Sequence, residues 1–375
     1  MSDRPAALSL SDVAREAGVS LTTASRALND SYGVSAATKA KVLATARRLD
    51  YVISPDAVRL AGGATRRVAL VVPHIDRWFF GEMVGGIETV LSAANFDLLL
   101  YQVGGPEDRH DFFTRLPARR KVDAVVVVAF PVDEREQERL ALMGVSIIAA
   151  GGQNADYPYV CIDDYRAGRL ATDHLLGLGH RRIAMIAAHD PDQPGWPARS
   201  GRSEAYVEAL TAAGIALDHD LVRDVDWGGL NAAAAMADIL DAAPADPPTA
   251  VFAHSDELAL GAIRTLRRRG LRIPEDISVV GIDDHPLAAL TDLTTVHQSV
   301  REQGEIAARL VLEALNPDTD GGAPTAVTAP TTLTVRASTG PAPDRSRPTA
   351  ASTGDLSHRE HPGGRPPVPE HPQER

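Results

Sequence analysis

The feature that most constrains the fold is a regular alternation of short apolar runs with helix-like segments between residues 67 and 336. The apolar runs are residues 68–72, 96–101, 122–128, 145–149, 183–187, 250–253 and 277–281. Apolar side chains recur at helical spacing between these runs, in residues 83–93, 165–178, 203–213, 230–240 and 257–269. Strands that alternate with helices are typical of parallel sheets covered by helices on both faces. The length of this region favours two similar open sheets over one.

Charge is distributed unevenly along the chain. The net charge is −12, but residues 1–66 carry nine Lys or Arg against six Asp or Glu, so this segment is basic. A small basic segment on an acidic body indicates that any contact with nucleic acid belongs to the amino-terminal residues. Composition shifts again near Ser338, where Pro, Gly, Ser and charged residues replace the apolar ones and predict a disordered tail.

Several classes of protein are disfavoured. The sequence contains no G-x-x-x-x-G-K-[ST], H-E-x-x-H or G-x-S-x-G motif and no Gly-rich dinucleotide fingerprint, so we expect no enzyme, no cofactor and no metal site. It has no apolar run long enough for a membrane span and no signal peptide. The single cysteine, Cys161, cannot form an intramolecular disulfide. We therefore expect a cytoplasmic protein without membrane contact.

The first helices are marked by capping signals. Ser9 precedes an apolar-periodic segment and Asp12 follows three residues later, which is typical of a capping box. Gly18 suits the left-handed residue that ends a helix, and Ser20 can cap a second helix over residues 21–28. Two short helices joined by a tight Gly-containing turn form the helix-turn-helix pattern.

The second helix has an apolar face and a polar one. Its alanines can face inward, which leaves on the outer face or first turn Leu21, Thr22, Thr23, Ser25 and Arg26. These side chains suit the major groove of DNA, where Arg pairs with guanine and hydroxyls bind phosphates. A third helix is predicted from Ser35, as its cap, through Leu49. The alternative is an ordinary three-helix packing unit without a DNA role.

A short conditional helix is predicted next to this head. Ser54 as cap, Pro55 at the first helical position and Gly62 after the end describe a helix of less than two turns. Because so short a helix is unstable alone in water, it is suited to couple a DNA-binding head to the body. Leu60 would then act as an apolar wedge in a minor groove. A plain linker is the alternative interpretation.

Carboxylates follow the predicted strands of the body. They are Asp76, Asp163, Asp190, Asp256 and Asp283. Ligands of open parallel sheets bind beyond the carboxyl ends of the strands, so a rim of acceptors there suits a ligand with several hydroxyl or amine donors. Each aspartate alone could instead cap the helix that follows it.

The sequence resembles the lactose-repressor/galactose-repressor family over residues 9–336. The matching stretches are residues 10–20 (LSDVAREAGVS), 23–29 (TASRALN), 49–51 (LDY), the Leu60-bearing hinge, 178–183 (LGHRRI), 281–284 (GIDD) and 293–298 (LTTVHQ). Two departures stand out. Ala24 occupies a position where valine is usual, and Ile53-Ser54-Pro55 replaces a more common earlier Pro-Asn.

The resemblance implies a helix-turn-helix head at residues 1–52 and a hinge at 53–66. It implies a periplasmic-binding-protein-like body with two Rossmann-like lobes at 67–337, and the tail then occupies 338–375. We expect the chain to cross between the lobes near Asp163–Asp164, near Thr291–Thr295 and a third time late.

The resemblance also implies a homodimer in which each head reads one half of a palindromic operator. Leu21, Thr22 and Arg26 would read bases, and Leu60 would insert at the operator centre. Three hydroxyl side chains would lie near phosphates, namely Ser20, Thr23 and Ser25.

For the ligand, the resemblance implies a cleft lined by Phe79 and Phe80, with Arg202 on ligand oxygens. Trp227 would give a stacking face and Asp283 would accept two hydroxyls, with further residues nearby, namely Asp163, Asp256 and Phe252. Phe252 could instead be a core residue, and Trp227, beside Gly228-Gly229, a surface-loop residue. Aromatic faces with Asp and Arg suit a sugar, and they also suit a nucleobase or nucleoside. A solute-binding protein without a regulatory role shares the bilobal body, but it would lack the head.

Overall fold

A computed structural model of the chain describes residues 8–28, 32–51, 64–129, 131–152, 156–189, 201–316 and 325–344. The head consists of three helices, α1 (Leu10–Ala17), α2 (Leu21–Leu28) and α3 (Ala36–Arg48). Small apolar side chains close its core and are almost fully buried, namely Val13, Ala14, Ala17, Ala24, Ala27, Val42 and Ala46. The predicted hinge, with Leu60, lies outside the described residues.

The caps of the head follow the sequence signals. The Ser9 N–H donates to Asp12 Oδ2 at 3.0 Å, which ties the first turn of α1 to the residue before it. Gly18 ends α1 with a φ of 65°, the left-handed conformation that a residue without Cβ adopts at low cost. Ser20 Oγ accepts from the Thr23 N–H at 3.1 Å and caps α2. The predicted helix-turn-helix is therefore confirmed.

The body contains two six-stranded sheets. The first lobe has a wholly parallel sheet in the order β11-β5-β4-β3-β1-β2. Its strands are β1 (Arg67–Val72), β2 (Asp97–Gln102), β3 (Ala124–Val128), β4 (Ser146–Ala150), β5 (Tyr159–Ile162) and β11 (Ala326–Ala329). Its helices are α4 (Trp78–Ala93), α5 (Pro106–Arg115), α6 (Glu134–Ala141) and α12 (Val300–Ala314).

The second lobe repeats this plan in the order β12-β10-β9-β8-β6-β7, with β12 antiparallel to β10. Its strands are β6 (Ile183–His189), β7 (Val222–Asp226), β8 (Ala250–Ala253), β9 (Ser278–Asp283), β10 (Thr294–Gln298) and β12 (Thr331–Thr334). Its helices are α7 (Asp164–Gly177), α8 (Gly201–Ala212), α9 (Gly229–Ala242), α10 (Asp256–Arg268) and α11 (Pro286–Leu290). The expected α/β class with two Rossmann-like lobes is confirmed.

The chain crosses between the lobes three times. The first crossing lies between β5 and α7, at Asp163, as expected. The second was expected near Thr291–Thr295, which is wrong because β10 still pairs with β9 there and the chain leaves the second lobe only after Gln298. The third lies between β11 and β12, at Pro330.

The body also ends later than the expected boundary at residue 337. The Ser338 hydroxyl donates to the Val279 carbonyl at 2.6 Å, and the Ala342 N–H donates to the Leu178 carbonyl at 2.9 Å. The segment after β12 is therefore held against the second lobe up to Ala342. Within the described ranges, none of the helices has the length and apolar character that crossing a lipid bilayer requires.

Candidate functional site

The outer face of α2 carries the side chains expected to meet DNA. Leu21, Thr22 and Arg26 are all exposed, with Leu21 at 51%, while the alanines of the same helix point into the head core. The Ser20 and Thr23 hydroxyls lie 2.8 Å apart at the amino terminus of the helix. Ser25, on the flank of α2, is half-buried. A short helix with one small apolar face and one polar, basic face has the dimensions that a major groove admits.

A cavity of about 1040 Å³ lies between the two lobes. The first lobe lines it with Asp76, which follows β1, with Phe79 and Phe80 in α4, and with Cys161 in β5. From the second lobe it is lined by side chains beyond strand ends and at the start of α8, among them Arg202, Trp227, His254 and Asp283. The cavity thus occupies the carboxyl edge of both sheets, where ligands of this kind of fold bind.

Two ring contacts join the lobes across this cavity. The Trp78 and His285 rings lie 4.9 Å apart between centroids, and the Arg77 guanidinium lies 5.6 Å from the centre of the Trp227 ring. Trp78 and Arg77 belong to the first lobe and their partners to the second. Each lobe therefore contributes a tryptophan ring and a second planar group to the wall of the cavity, which suits a flat or ring-shaped ligand.

The polar floor is centred on Arg202. Its Nε donates to Asp164 Oδ1 at 2.6 Å, and its Nη1 donates to the His254 carbonyl. The arginine side chain is only 16% exposed, so this geometry fixes the guanidinium in place. Burial, together with the nearby Arg202 charge, lowers the pKa of His254 to about 3, and the imidazole is neutral.

Asp283 ends β9 in an uncommon backbone conformation, with a φ of 127°. Non-glycine residues seldom adopt this region, and strain of this kind is concentrated at ligand sites. Its Oδ1 accepts from Gln298 Nε2 at 2.7 Å. Burial raises the pKa of Asp283, while Arg202 and the Gln298 hydrogen bond oppose that increase. The carboxylate therefore faces the cavity with acceptor capacity left over for a ligand.

Three residues expected at the cleft do not line the cavity. Phe252 is fully buried within the second lobe, where it packs 6.4 Å from the Tyr206 ring, so its assignment to the site is wrong. Asp163 caps α7 by accepting from the Arg166 N–H at 2.9 Å, and the next residue, Asp164, lines the wall instead. Asp256 is fully buried beneath the wall.

Asp256 supports the site from behind. Its Oδ2 accepts from the His285 N–H at 2.8 Å and so positions the ring that faces Trp78. A Cβ at Gly281 would overlap the Asp256 carboxylate, so glycine is required there. Burial and then the charge of Asp283 raise the pKa of Asp256. Its expected role as a ligand contact is therefore replaced by a supporting one. Asp190 lies outside the described residues.

Other wall residues were missed by sequence reasoning. Among them are Arg77, Trp78, Asp164, His254, Glu257, His285, Gln298 and Gln303. Asp164 and Trp78 adjoin the predicted residues Asp163 and Phe79. The sequence pattern therefore predicted the right segments without predicting which side chains face the cavity. The two glutamines lie on either side of the second lobe crossing, and only the corrected position of that crossing places them at the cleft.

A helix-turn-helix head joined to a two-lobed α/β body with an interlobe cleft defines a class of DNA-binding transcriptional regulators with an effector domain. Residues 9–54 match the family described as bacterial regulatory proteins, lacI family, and residues 172–339 match a periplasmic binding protein-like domain. The chain belongs to the lacI family, which confirms the resemblance found in the sequence.

Curated relatives align over most of their length. The chain is 32% identical over 311 residues to the HTH-type transcriptional repressor PurR of Vibrio atlanticus (strain LGP32), covering 82% of this chain and 91% of that protein. It is 36% identical over 352 residues to the HTH-type transcriptional regulator AglR of Rhizobium meliloti (strain 1021), covering 90% of this chain and 96% of the relative.

Solved structures agree with this assignment. A complex of the transcriptional regulator CelR with cellobiose is 34% identical, with a TM-score of 0.64, and covers 88% of this chain and 99% of its own. The lac repressor dimer bound to operator and the anti-inducer ONPF is 25% identical, with a TM-score of 0.77, and covers 89% of this chain and 100% of its own.

Proposed function

We propose that this protein is a homodimeric repressor that binds a palindromic operator and whose operator affinity is set by an uncharged carbohydrate in the interlobe cleft. The observation that carries the effector class is the combination of facing aromatic rings with a fixed arginine and several carboxylates in one cavity. A sugar has apolar ring faces and a hydroxyl-rich edge, and this wall provides a counterpart for each.

The charge of the wall argues against an anionic effector. Among the described wall residues, Arg77 and Arg202 are outnumbered by carboxylates, namely Asp76, Asp164, Glu257 and Asp283. Arg202 is already paired with Asp164, and Arg77 lies over Trp227. A phosphate or carboxylate on the ligand would therefore meet like charge in a poorly solvated space, which is costly. The cellobiose complex and a ribose-bound family member are consistent with a neutral sugar.

A nucleobase or nucleoside is the second candidate. The Trp78–His285 contact and the Arg77–Trp227 contact both present planar groups, on which a base would stack. Asp283 would then accept from a ring N–H. The carbohydrate is favoured because the carboxylates on the wall call for more donors than a base edge provides.

For DNA, we assign base-edge contacts to Leu21, Thr22 and Arg26 and phosphate contacts to Ser20, Thr23 and Ser25. Exposure of the first three on one face of α2 supports this assignment. The lac repressor dimer on its operator supports a homodimer with one head on each half-site. Leu60 of the hinge remains assigned to the operator centre.

Coupling between the sites follows from the position of the cavity. A ligand that touches both walls changes the angle between the lobes, and so the spacing of the two hinges in a dimer. The ligand shifts operator affinity only by the difference in its own affinity for the DNA-binding and the DNA-releasing arrangement of the lobes. A coupling free energy of a few kcal/mol is usual.

Isothermal calorimetry of the full chain tests the effector class. The panel is cellobiose, maltose, D-ribose, adenosine, hypoxanthine and glucose 6-phosphate. D-glucose is added as the uncharged partner of glucose 6-phosphate. We expect a neutral saccharide to bind, and glucose 6-phosphate to bind at least about tenfold more weakly than glucose because of the acidic wall. Binding of hypoxanthine or adenosine without any saccharide would overturn the carbohydrate assignment and leave the regulator assignment in place.

A further inference from the structure

Two buried polar atoms on the cavity wall have no hydrogen-bond partner among the described residues. They are Gln303 Oε1, in the first turn of α12, and Trp78 Nε1, at the start of α4. Gln303 is fully buried, yet it lines the cavity. Buried polar groups in native proteins are nearly always paired, so an unpaired acceptor beside an empty space indicates a ligand group that pairs with it.

A chain of hydrogen bonds fixes which atom of Gln303 is left over. Asp283, a carboxylate beside Arg202, accepts from Gln298 Nε2 at 2.7 Å. Gln298 therefore presents its Oε1 to the other side, where it accepts from Gln303 Nε2 at 3.1 Å. Since both amides are oriented by this chain, the free atom of Gln303 is an acceptor and not a donor. Gln298 itself is 3% exposed, so the chain is shielded from competing water.

The chain also joins the two lobes. Gln303 belongs to α12 of the first lobe, whereas Gln298 and Asp283 end strands of the second. A Cβ at Gly304 would overlap the Met83 carbonyl, which shows how closely α12 lies against α4, the helix that carries Trp78. The free acceptor and the free donor are thus held on two tightly packed helices.

We propose that Gln303 is a specificity-determining residue of the effector site, its Oε1 accepting a hydrogen bond from a hydroxyl of the bound ligand. The Trp78 Nε1–H donates to a second oxygen of the same molecule. This inference rests on the proposed effector function and narrows it, because the wall requires a hydroxyl at the first-lobe end of the ligand. A ligand with only acceptors at that end leaves Gln303 Oε1 unpaired and is selected against.

Calorimetry with deoxy sugars tests the contact on the full chain. The proteins are the wild type, Gln303→Met and the matched control Gln102→Met, which lies at the exposed end of β2. The ligands are cellobiose, maltose and their monodeoxy derivatives. We expect Gln303→Met to bind the parent sugar about tenfold more weakly, the usual cost of an unpaired buried hydrogen-bonding group. Gln102→Met is expected to bind like the wild type.

The deoxy series separates a ligand contact from a structural role. If Gln303 binds one hydroxyl, the derivative that lacks this hydroxyl binds the wild type and Gln303→Met equally well. If Gln303 only maintains the pocket, the variant weakens every derivative by the same factor, and the inference is overturned. Unchanged affinity of Gln303→Met for the parent sugar overturns it as well.

If the effector is not a carbohydrate, the same experiments give a different set of results. If only adenosine binds, the carbohydrate assignment is rejected, and adenosine is compared with its 2′- and 3′-deoxy forms in the same way. If no compound binds, the melting temperature of the ligand-free chain distinguishes a ligand-directed Gln303 amide from one that stabilises the fold. A Gln303→Met value at or above that of the wild type supports a ligand-directed amide, and a fall of about 3 °C or more assigns the amide to the fold and overturns the inference.

Discussion

Asp256 and Asp283 show how two carboxylates close in space take different roles. Asp283 faces the cavity, bonds to Gln298 and lies near Arg202, whereas Asp256 is fully buried and bonds to the His285 backbone. Burial raises the pKa of both side chains. A carboxylate with an elevated folded-state pKa lowers the free energy of unfolding as the pH rises from its unfolded pKa to its folded pKa. Asp256 therefore contributes to the site by holding His285, and above about pH 4 it lowers the stability of the lobe.

Replacing Asp256 removes a pH-dependent loss of stability. The folded chain keeps the Asp256 proton to higher pH than the unfolded chain, whose aspartates titrate near 4, so this group lowers stability as the pH rises from about 4 through its raised pKa. We expect Asp256→Asn to gain stability relative to the wild type by at least about 1.4 kcal/mol, the equivalent of one pKa unit, between pH 5 and pH 8. Urea unfolding at both pH values measures the difference.

Asp276 provides the control. Its pKa is lowered by hydrogen bonds from Arg272, so both its folded and its unfolded titrations are complete below pH 5. The difference between Asp276→Asn and the wild type is therefore expected to stay constant from pH 5 to pH 8. Parallel profiles for Asp256→Asn and the wild type would show that Asp256 does not hold its proton in the folded chain.

For individual residues, the sequence predicted where the site lies more reliably than it predicted which side chains form it. The strand-end positions of Asp76 and Asp283 predicted the cavity edge, and both line it. Asp163 and Asp164 are neighbours, and only the helix geometry after β5 decides which of them caps and which faces the ligand. Phe252 lies within β8, where the second lobe covers both faces of the sheet, and its place inside the apolar run 250–253 already favoured the alternative of a core residue.

Among the elements, the head helices were predictable almost to the residue. Ser9, Gly18, Ser20 and Ser35 are local signals, and a cap acts on backbone groups only two or three positions away. Strand β7 was missed, because Val-Arg-Asp-Val-Asp alternates apolar and charged residues instead of forming an apolar run. That pattern belongs to an edge strand with one solvated face, and β7 lies at the edge of its sheet.

Helix α2 allows a direct test of the DNA interface. Arg26 is exposed on its outer face, and one bidentate contact to a base discriminates by about 1–3 kcal/mol. We expect Arg26→Ala to lose roughly ten- to a hundredfold of its preference for operator over random DNA of the same length. Fluorescence anisotropy titrations with both DNAs measure this preference.

The matched control is Arg135→Ala, since Arg135 is exposed on α6 of the body. It removes the same charge from a site outside the head and is expected to preserve the preference for operator. Circular dichroism checks that α1 to α3 are intact in Arg26→Ala. If both variants discriminate like the wild type, Arg26 does not read the operator.

For the whole molecule, the proposed action of a ligand on DNA depends on how the two lobes are joined. The lobes meet through the crossings and through contacts that face the cavity, namely Trp78–His285, Arg77–Trp227 and Gln303–Gln298. A ligand placed among them alters the same contacts that set the lobe angle. The proposed coupling requires two arrangements of the lobes that differ in affinity for the ligand, and a ligand in the interlobe cavity touches the groups whose contacts would differ between them.

Saccharide control of operator binding can be measured by selecting DNA with the full chain from a random duplex library and then titrating the complex with the saccharide that calorimetry identifies. We expect an enriched palindrome whose half-sites are centred about one helical turn apart. We also expect the saccharide to change the affinity for this DNA by roughly 5- to 150-fold, the usual range of allosteric coupling. Enrichment of no palindrome, or a bound saccharide that leaves operator affinity unchanged, would contradict the proposed function.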